Sequence, residues 1–228
     1  EFRGADGLYI NGKPFGDKLM GVNRHQDYAY IGNAVPNNLH WLDVKKMRDA
    51  GFRIIRSAHY PQDPAFMDAC DELGMFIIVA TPGWQYWNPE PVFEERILSD
   101  IRNMVRRDRN HPSVLLWEPV LNETAFPESF AQNAYRATHE EYPAPGCYAA
   151  IDDKSKGAMG YDVVYTAPKN EAFYRNAGKS CFTREYGDCV DDWNSHNSYS
   201  RVAREWGEEP QIRQAQHYAQ GLWRLSYG

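Results

Sequence analysis

Two segments of this sequence join an apolar run to a carboxylate that such a run has no need of. Residues 115–123 read LLWEPVLNE and residues 180–188 read SCFTREYGD. Each starts like the filling of a buried strand, and each delivers a glutamate, Glu123 in the first and Glu185 in the second. Two carboxylates in one pocket suit glycosidic cleavage. One must protonate the leaving oxygen, while the other attacks carbon or activates water. Their environments must differ, so that one stays protonated near neutral pH and the other ionised. Arg56, if it reaches Glu185, holds that carboxylate charged and lowers its pKa. Glu123, flanked by the apolar strand and Trp117, is then the proton carrier.

The elements that must position these groups alternate along the chain. LMGVNRH, FRIIRSAHY, MFIIVATPG and SVLLWEPV read as strands. Between them lie helical stretches, in which Leu39, Leu42, Met47 and Ala50 share one face, as do Phe93, Ile97, Ile101 and Met104. Asp63-Pro64 starts another helix by cap-then-proline logic, with Phe66, Cys70 and Leu73 on its buried side. Fainter runs at GCYAAI and DVVYTA, then SCFTRE and GLWRLSYG, bring the strands to the eight of a (β/α)8 TIM barrel, an α/β fold with a parallel sheet. The expected domain spans residues 1–228, cut near the eighth strand and excised from a longer, multidomain protein. In such a barrel the polar residues at strand ends line the mouth. Here they are Asn23, Arg24 and His25, then Arg56, His59 and Tyr60, then Asn122 and Glu123, then Glu185 and Tyr186, with Trp223 in the last strand.

Composition removes several function classes. A net charge of -6 without a basic stripe argues against nucleic acid as a partner. The sequence contains no run of about 18 apolar residues of the kind that crosses a membrane. Cys70, Cys147, Cys181 and Cys189 form no Cys-x-x-Cys pair and are too few for a disulfide scaffold at 228 residues, so buried thiols are expected. His139-Glu140-Glu141 lacks the second histidine of a zinc helix, and neither a Gly-x-Ser-x-Gly elbow nor a phosphate-binding glycine loop is present. The simplest reading is a hydrolase with no metal and no cofactor. Seven tryptophans are unusual for this length, and some are expected to form flat walls on which sugar rings stack.

The motifs resemble the catalytic barrel of glycoside hydrolase family 2, which includes β-galactosidases, β-glucuronidases and β-mannosidases. The resemblance rests on INGKPF leading to GVNRHQD, on IIRSAHYPQDPAFMDACDELGM, on RRDRNHPSVLLWEPVLNE and on TREYGD. It implies that Glu123 is the acid/base and Glu185 the nucleophile of a retaining double displacement through a covalent glycosyl-enzyme. Their carboxyl groups would then lie about 5–5.5 Å apart. It further implies that Asn122 bonds the sugar 2-hydroxyl, that His25 and His59 line the sugar subsite, that Arg56 sits beside the nucleophile, and that Trp223 is an aromatic platform. Glu118 is then a decoy, since Asn122-Glu123 is the matching pair. Companion β-sandwich domains are implied in the full-length chain, with an oligosaccharide or glycoconjugate as substrate.

The sequence departs from the family at two places. Where family β-galactosidases carry an acidic segment contributing a magnesium ligand, this chain reads VATPGWQYWN, with no carboxylate from residue 76 to 88. No magnesium is expected there, and Trp84 and Trp87 are candidates for a sugar-binding wall or for packing under the loop. The tyrosine that often bonds the nucleophile aligns with Pro168, leaving Tyr165 or Tyr186 for that role. The motif wording favours β-galactosides over β-mannosides and β-glucuronides. A carbohydrate-binding barrel without turnover is the rival of another class.

Overall fold

The computed structural model describes residues 1–185 apart from Asp17 and Ala29, together with Ile212, Gln216 and Ala219. The chain divides into two compact units, Glu1–Phe182 and Thr183–Gly228, and the fold described is that of the first. It opens on a hairpin in which β1 (Tyr9–Ile10) and β2 (Lys13–Pro14) pair antiparallel around Asn11-Gly12. Both turn residues have positive φ, 50° and 76°, the hand that matches a two-residue turn to strand twist.

The chain then alternates β3 (Gly21–Arg24), α1 (Asn37–Asp49), β4 (Ile54–Ser57), α2 (Pro64–Leu73), β5 (Phe76–Ala80), α3 (Pro91–Asp108), β6 (Val114–Glu118) and α4 (Glu128–Glu141). It continues through β7 (Ala150–Asp152), β8 (Val163–Tyr165), α5 (Glu171–Asn176) and β9 (Ser180–Phe182). Strands β3 to β6 form one parallel sheet and β7 to β9 another, each in chain order. A backbone bond from Trp117 N to the Tyr148 carbonyl (2.9 Å) and a parallel bridge from Trp117 to Ala149 join them. Parallel neighbours in chain order are the arrangement of a TIM barrel wall. The expected strand at GLWRLSYG lies outside the described residues.

Strand alternation separates two apolar layers, which is why both faces of these strands read as apolar. Ile54, Ile78, Leu116, Ala150, Val163 and Tyr165 make one cluster. Their neighbours Ile55, Ile77, Val79 and Trp117 turn the other way and pack with Val44 and Phe66 of α1 and α2. Trp117 therefore belongs to the helix-facing layer and does not flank Glu123 on the strand's inner side.

Local chemistry sets the helix ends. The Asp63 carboxylate accepts from Ala65 N–H at 2.8 Å, Pro64 opens α2, and Gly74 closes it at φ 68°. Helix α3 buries Ile97, Ile101 and Met104, the stripe its spacing predicts. Helix α1 is rotated from its expected face: His40 and Val44 are buried, while Leu42 is 36% exposed. The cause is Arg24. Its guanidinium bonds Asp43 (2.9 Å), Gln62 (2.5 Å) and His40 Nδ1 (3.2 Å) and lies 4.4 Å from the Phe66 ring, so a polar cluster fixes the helix. The helix layer thins after β7, where the connection to β8 carries only a 3-10 turn, Ala158–Gly160. Cys70 and Cys147 are buried thiols, and burial pushes both up to about 12. Among the described residues no helix is long and apolar enough to cross a membrane.

Candidate active site

The glutamate that terminates β6 is Glu118, not Glu123. It shares a strand face with Leu116, as Arg56 shares one with Ile54 on β4, so both point the way the barrel interior does. Arg56 grips Glu118 through two bonds, Nε to Oε2 at 2.6 Å and Nη2 to Oε1 at 2.5 Å. Both side chains are buried. The Tyr165 hydroxyl donates to Glu118 Oε2 at 3.2 Å, and its ring centroid lies 5.9 Å from the guanidinium carbon. A bidentate fork with a further donor is the geometry in which a buried ion pair offsets its desolvation. Tyr165 ends the sixth barrel strand, three residues before Pro168.

Arg56 Nη2 also donates to Asn122 Oδ1 at 3.2 Å. That bond fixes the amide's orientation and directs its N–H2 end away from the guanidinium. Asn122 is buried, whereas Glu123 next to it is exposed and takes φ 50°. A non-glycine residue held in the left-handed region costs about 1–3 kcal/mol and persists where its surroundings enforce it. The enforcing neighbour is the loop after β5. Thr81 N–H donates to the Glu118 carbonyl (2.9 Å), Gly83 N–H to His59 O (3.1 Å) and Gln85 N–H to Asn122 O (3.0 Å). Gln85, itself at φ 57°, places its amide Nε2 2.7 Å from Glu123 Oε2.

Beside this pair stands a ring cluster. His25 and His59 meet edge-on at 5.4 Å, and Trp84 lies 6.5 Å from His25 and 5.5 Å from His59. Trp84 remains 47% exposed, so one large flat surface faces solvent next to two imidazoles. Trp87 goes elsewhere. It is half-buried against Phe93 (5.4 Å) and Phe130 (4.9 Å), on the helix side of the loop.

Glu185 belongs to the second unit, where its Oε1 accepts from Arg184 at 3.1 Å. Tyr186 and Trp223 lie outside the described residues. The first unit thus brings together His25, Arg56, His59, Asn122, Glu123 and Trp84. It also adds two residues the sequence reading did not assign to the site. Glu118 was set aside for Glu123, although an acid at the end of an apolar strand with an arginine two strands away was a visible signal. Gln85 carried no signal, because its role comes from two distant loops meeting. Among the described residues no three His, Cys, Asp or Glu side chains cluster closely enough to hold a metal ion.

Residues 3–142 match the family model described as glycosyl hydrolases family 2, TIM barrel domain. The chain belongs to this family. A β-galactosidase of Thermoanaerobacterium thermosulfurigenes is 39% identical over 140 residues, 60% of this chain and 19% of its own length. One from Thermoanaerobacter pseudethanolicus is 35% identical over 141 residues, 61% of this chain and 19% of its own. This family 2 chain spans about a fifth of the length of those curated relatives. Among solved structures, a β-glycosidase from Bacteroides vulgatus is 28% identical, with a TM-score of 0.64 over 79% of this chain and 24% of its own. A β-glucuronidase of Bacteroides uniformis covers all of this chain and 31% of its own at TM-score 0.74, a likeness of fold at 23% identity.

Proposed function

We propose that this chain is the catalytic barrel of a retaining, exo-acting β-glycosidase that removes terminal β-linked sugars, with β-galactosides the favoured substrates. Glu123 acts as acid/base and Glu185 as nucleophile. The observation that carries the reading is the contrast within LLWEPVLNE. Glu118 is closed in by Arg56 and Tyr165, whereas Glu123 is exposed, with Oε2 held by Gln85. A carboxyl group that must meet a glycosidic oxygen needs that access. Asn122 then presents its amide N–H2 to the 2-hydroxyl, His25 and His59 line the subsite, and Trp84 offers an apolar face to a neighbouring sugar. Trp87 supports the loop. The galactoside preference is supported by the names of the β-galactosidase relatives, and companion β-sandwich domains by the small share of those relatives that the chain covers.

The test is a panel of aryl β-glycosides on the full-length protein, with the anomer of the first-formed product read by NMR. Release of galactose as the β-anomer is expected. Faster release from glucuronides or mannosides would move the substrate within the family. No release from any of the three, with sugar binding retained, would make the barrel a carbohydrate-binding module.

A further inference from the structure

We infer that Gln85 is a positioning residue for the acid/base step: its side-chain amide sets which oxygen of Glu123 carries the proton. The inference rests on the proposed role of Glu123. Its physical basis is the meeting of Gln85 Nε2 and Glu123 Oε2 at 2.7 Å across two loops.

Four residues other than glycine have positive φ among the described residues, and one of them, Asn11, is explained by its hairpin. Gln85 and Glu123 are two more, at 57° and 50°, and they face each other. Backbone bonds tie their loops together, from Gln85 N–H to Asn122 O at 3.0 Å and through a bridge from Trp84 to Asn122. The contact is therefore built from both sides. An ionised carboxylate only accepts, so the amide must present its N–H to Oε2. In the protonated acid the carbonyl oxygen is the better acceptor. The N–H on Oε2 thus favours that oxygen as the carbonyl and leaves the proton on Oε1. In the first step the Oε1 proton passes to the glycosidic oxygen, which keeps the electrons of the breaking C1–O bond. The Glu185 carboxylate forms the new bond to C1. In the second step water gives a proton back to Glu123 as its oxygen displaces Glu185. Without the Gln85 amide the carboxyl group turns freely, and the oxygen that must deliver the proton loses its orientation.

The experiment compares kcat/KM of the full-length enzyme on a phenyl β-glycoside, whose leaving group needs the proton, and on the 2,4-dinitrophenyl glycoside, which leaves without it. Two variants remove the donor in different ways. Gln85→Gly suits the positive φ and does not threaten the fold, while Gln85→Glu keeps the shape but presents a carboxylate. Both should lower the phenyl to dinitrophenyl ratio about tenfold, a fraction of what a general acid contributes. Glu123→Gln is measured alongside. If Glu123→Gln lowers the ratio and the Gln85 variants leave it unchanged, the inference is overturned while the acid/base assignment stands. If Glu123→Gln leaves the ratio unchanged, the assignment itself falls, and the inference with it.

Discussion

Arg56 and Glu118 form a two-bond ion pair, at 2.6 Å and 2.5 Å, between the ends of two strands that are not neighbours in the sheet. The pair closes the apolar interior with charge, and the third reach of Arg56 holds Asn122. Removing Glu118 takes two charge-assisted bonds from a buried guanidinium. Glu118→Ala should destabilise the protein by about 3–5 kcal/mol, and Glu118→Gln by less, because the amide oxygen still accepts from the guanidinium. Urea unfolding monitored by tryptophan fluorescence measures both. A loss under about 1 kcal/mol for Glu118→Ala would mean that water reaches the site freely.

The two proposed catalytic glutamates should fail differently. Glu123→Gln should slow cleavage of poor leaving groups by about 10²–10⁴-fold while sparing activated aryl glycosides in the first step. Glu185→Gln should abolish turnover of both, since no covalent intermediate forms. Near-normal turnover by Glu185→Gln would remove it as the nucleophile.

The two loop tryptophans should separate into function and stability. Trp84 stands against His25 and His59 with its ring half in solvent, so Trp84→Ala should cost an oligosaccharide about 0.5–2 kcal/mol in kcat/KM and a small aryl glycoside much less. Trp87 packs on Phe93 and Phe130, so Trp87→Ala should instead destabilise the fold by about 3 kcal/mol. Equal losses on long and short substrates for Trp84→Ala would give it the packing role too.

Acid sensitivity should trace in part to Asp162. Its carboxylate accepts from Tyr135 (3.0 Å) and Ala149 N–H (2.8 Å) and meets His139 Nε2 at 3.1 Å. Burial acts to raise its pKa, but His139, the Ala149 N–H and Tyr135 outweigh burial and hold it below the ordinary aspartate value. A depressed folded pKa means the stabilisation is present above the unfolded value of about 4 and is lost as pH falls through the folded one. Asp162→Asn should cost about 1–3 kcal/mol at pH 7 and flatten the stability slope below about pH 4. Chemical denaturation across that range would show an unchanged slope if other carboxylates dominate.

The sequence by itself determined the strands β3 to β9 and their order. Asp63-Pro64 dictates a helix start, and the stripe at Ile97, Ile101 and Met104 a buried face, because each signal acts within a few residues. The motif around Asn122-Glu123 also marked the family. Only the tertiary structure decided the partners. Arg56 holds Glu118, 62 residues away, a pairing that no local pattern announces. Leu42 was expected inside, yet Arg24 turned α1 so that His40 is buried instead. Trp84 and Trp87 read alike in the sequence and face opposite sides of one loop. Gln85 reaches Glu123 across 38 residues. Hydrophobic periodicity marks the inward face of an element, as at α3, and a buried polar cluster can override it, as at α1. Which polar groups then meet depends on strand register and on loop paths, set by hydrogen bonds between segments far apart in the chain.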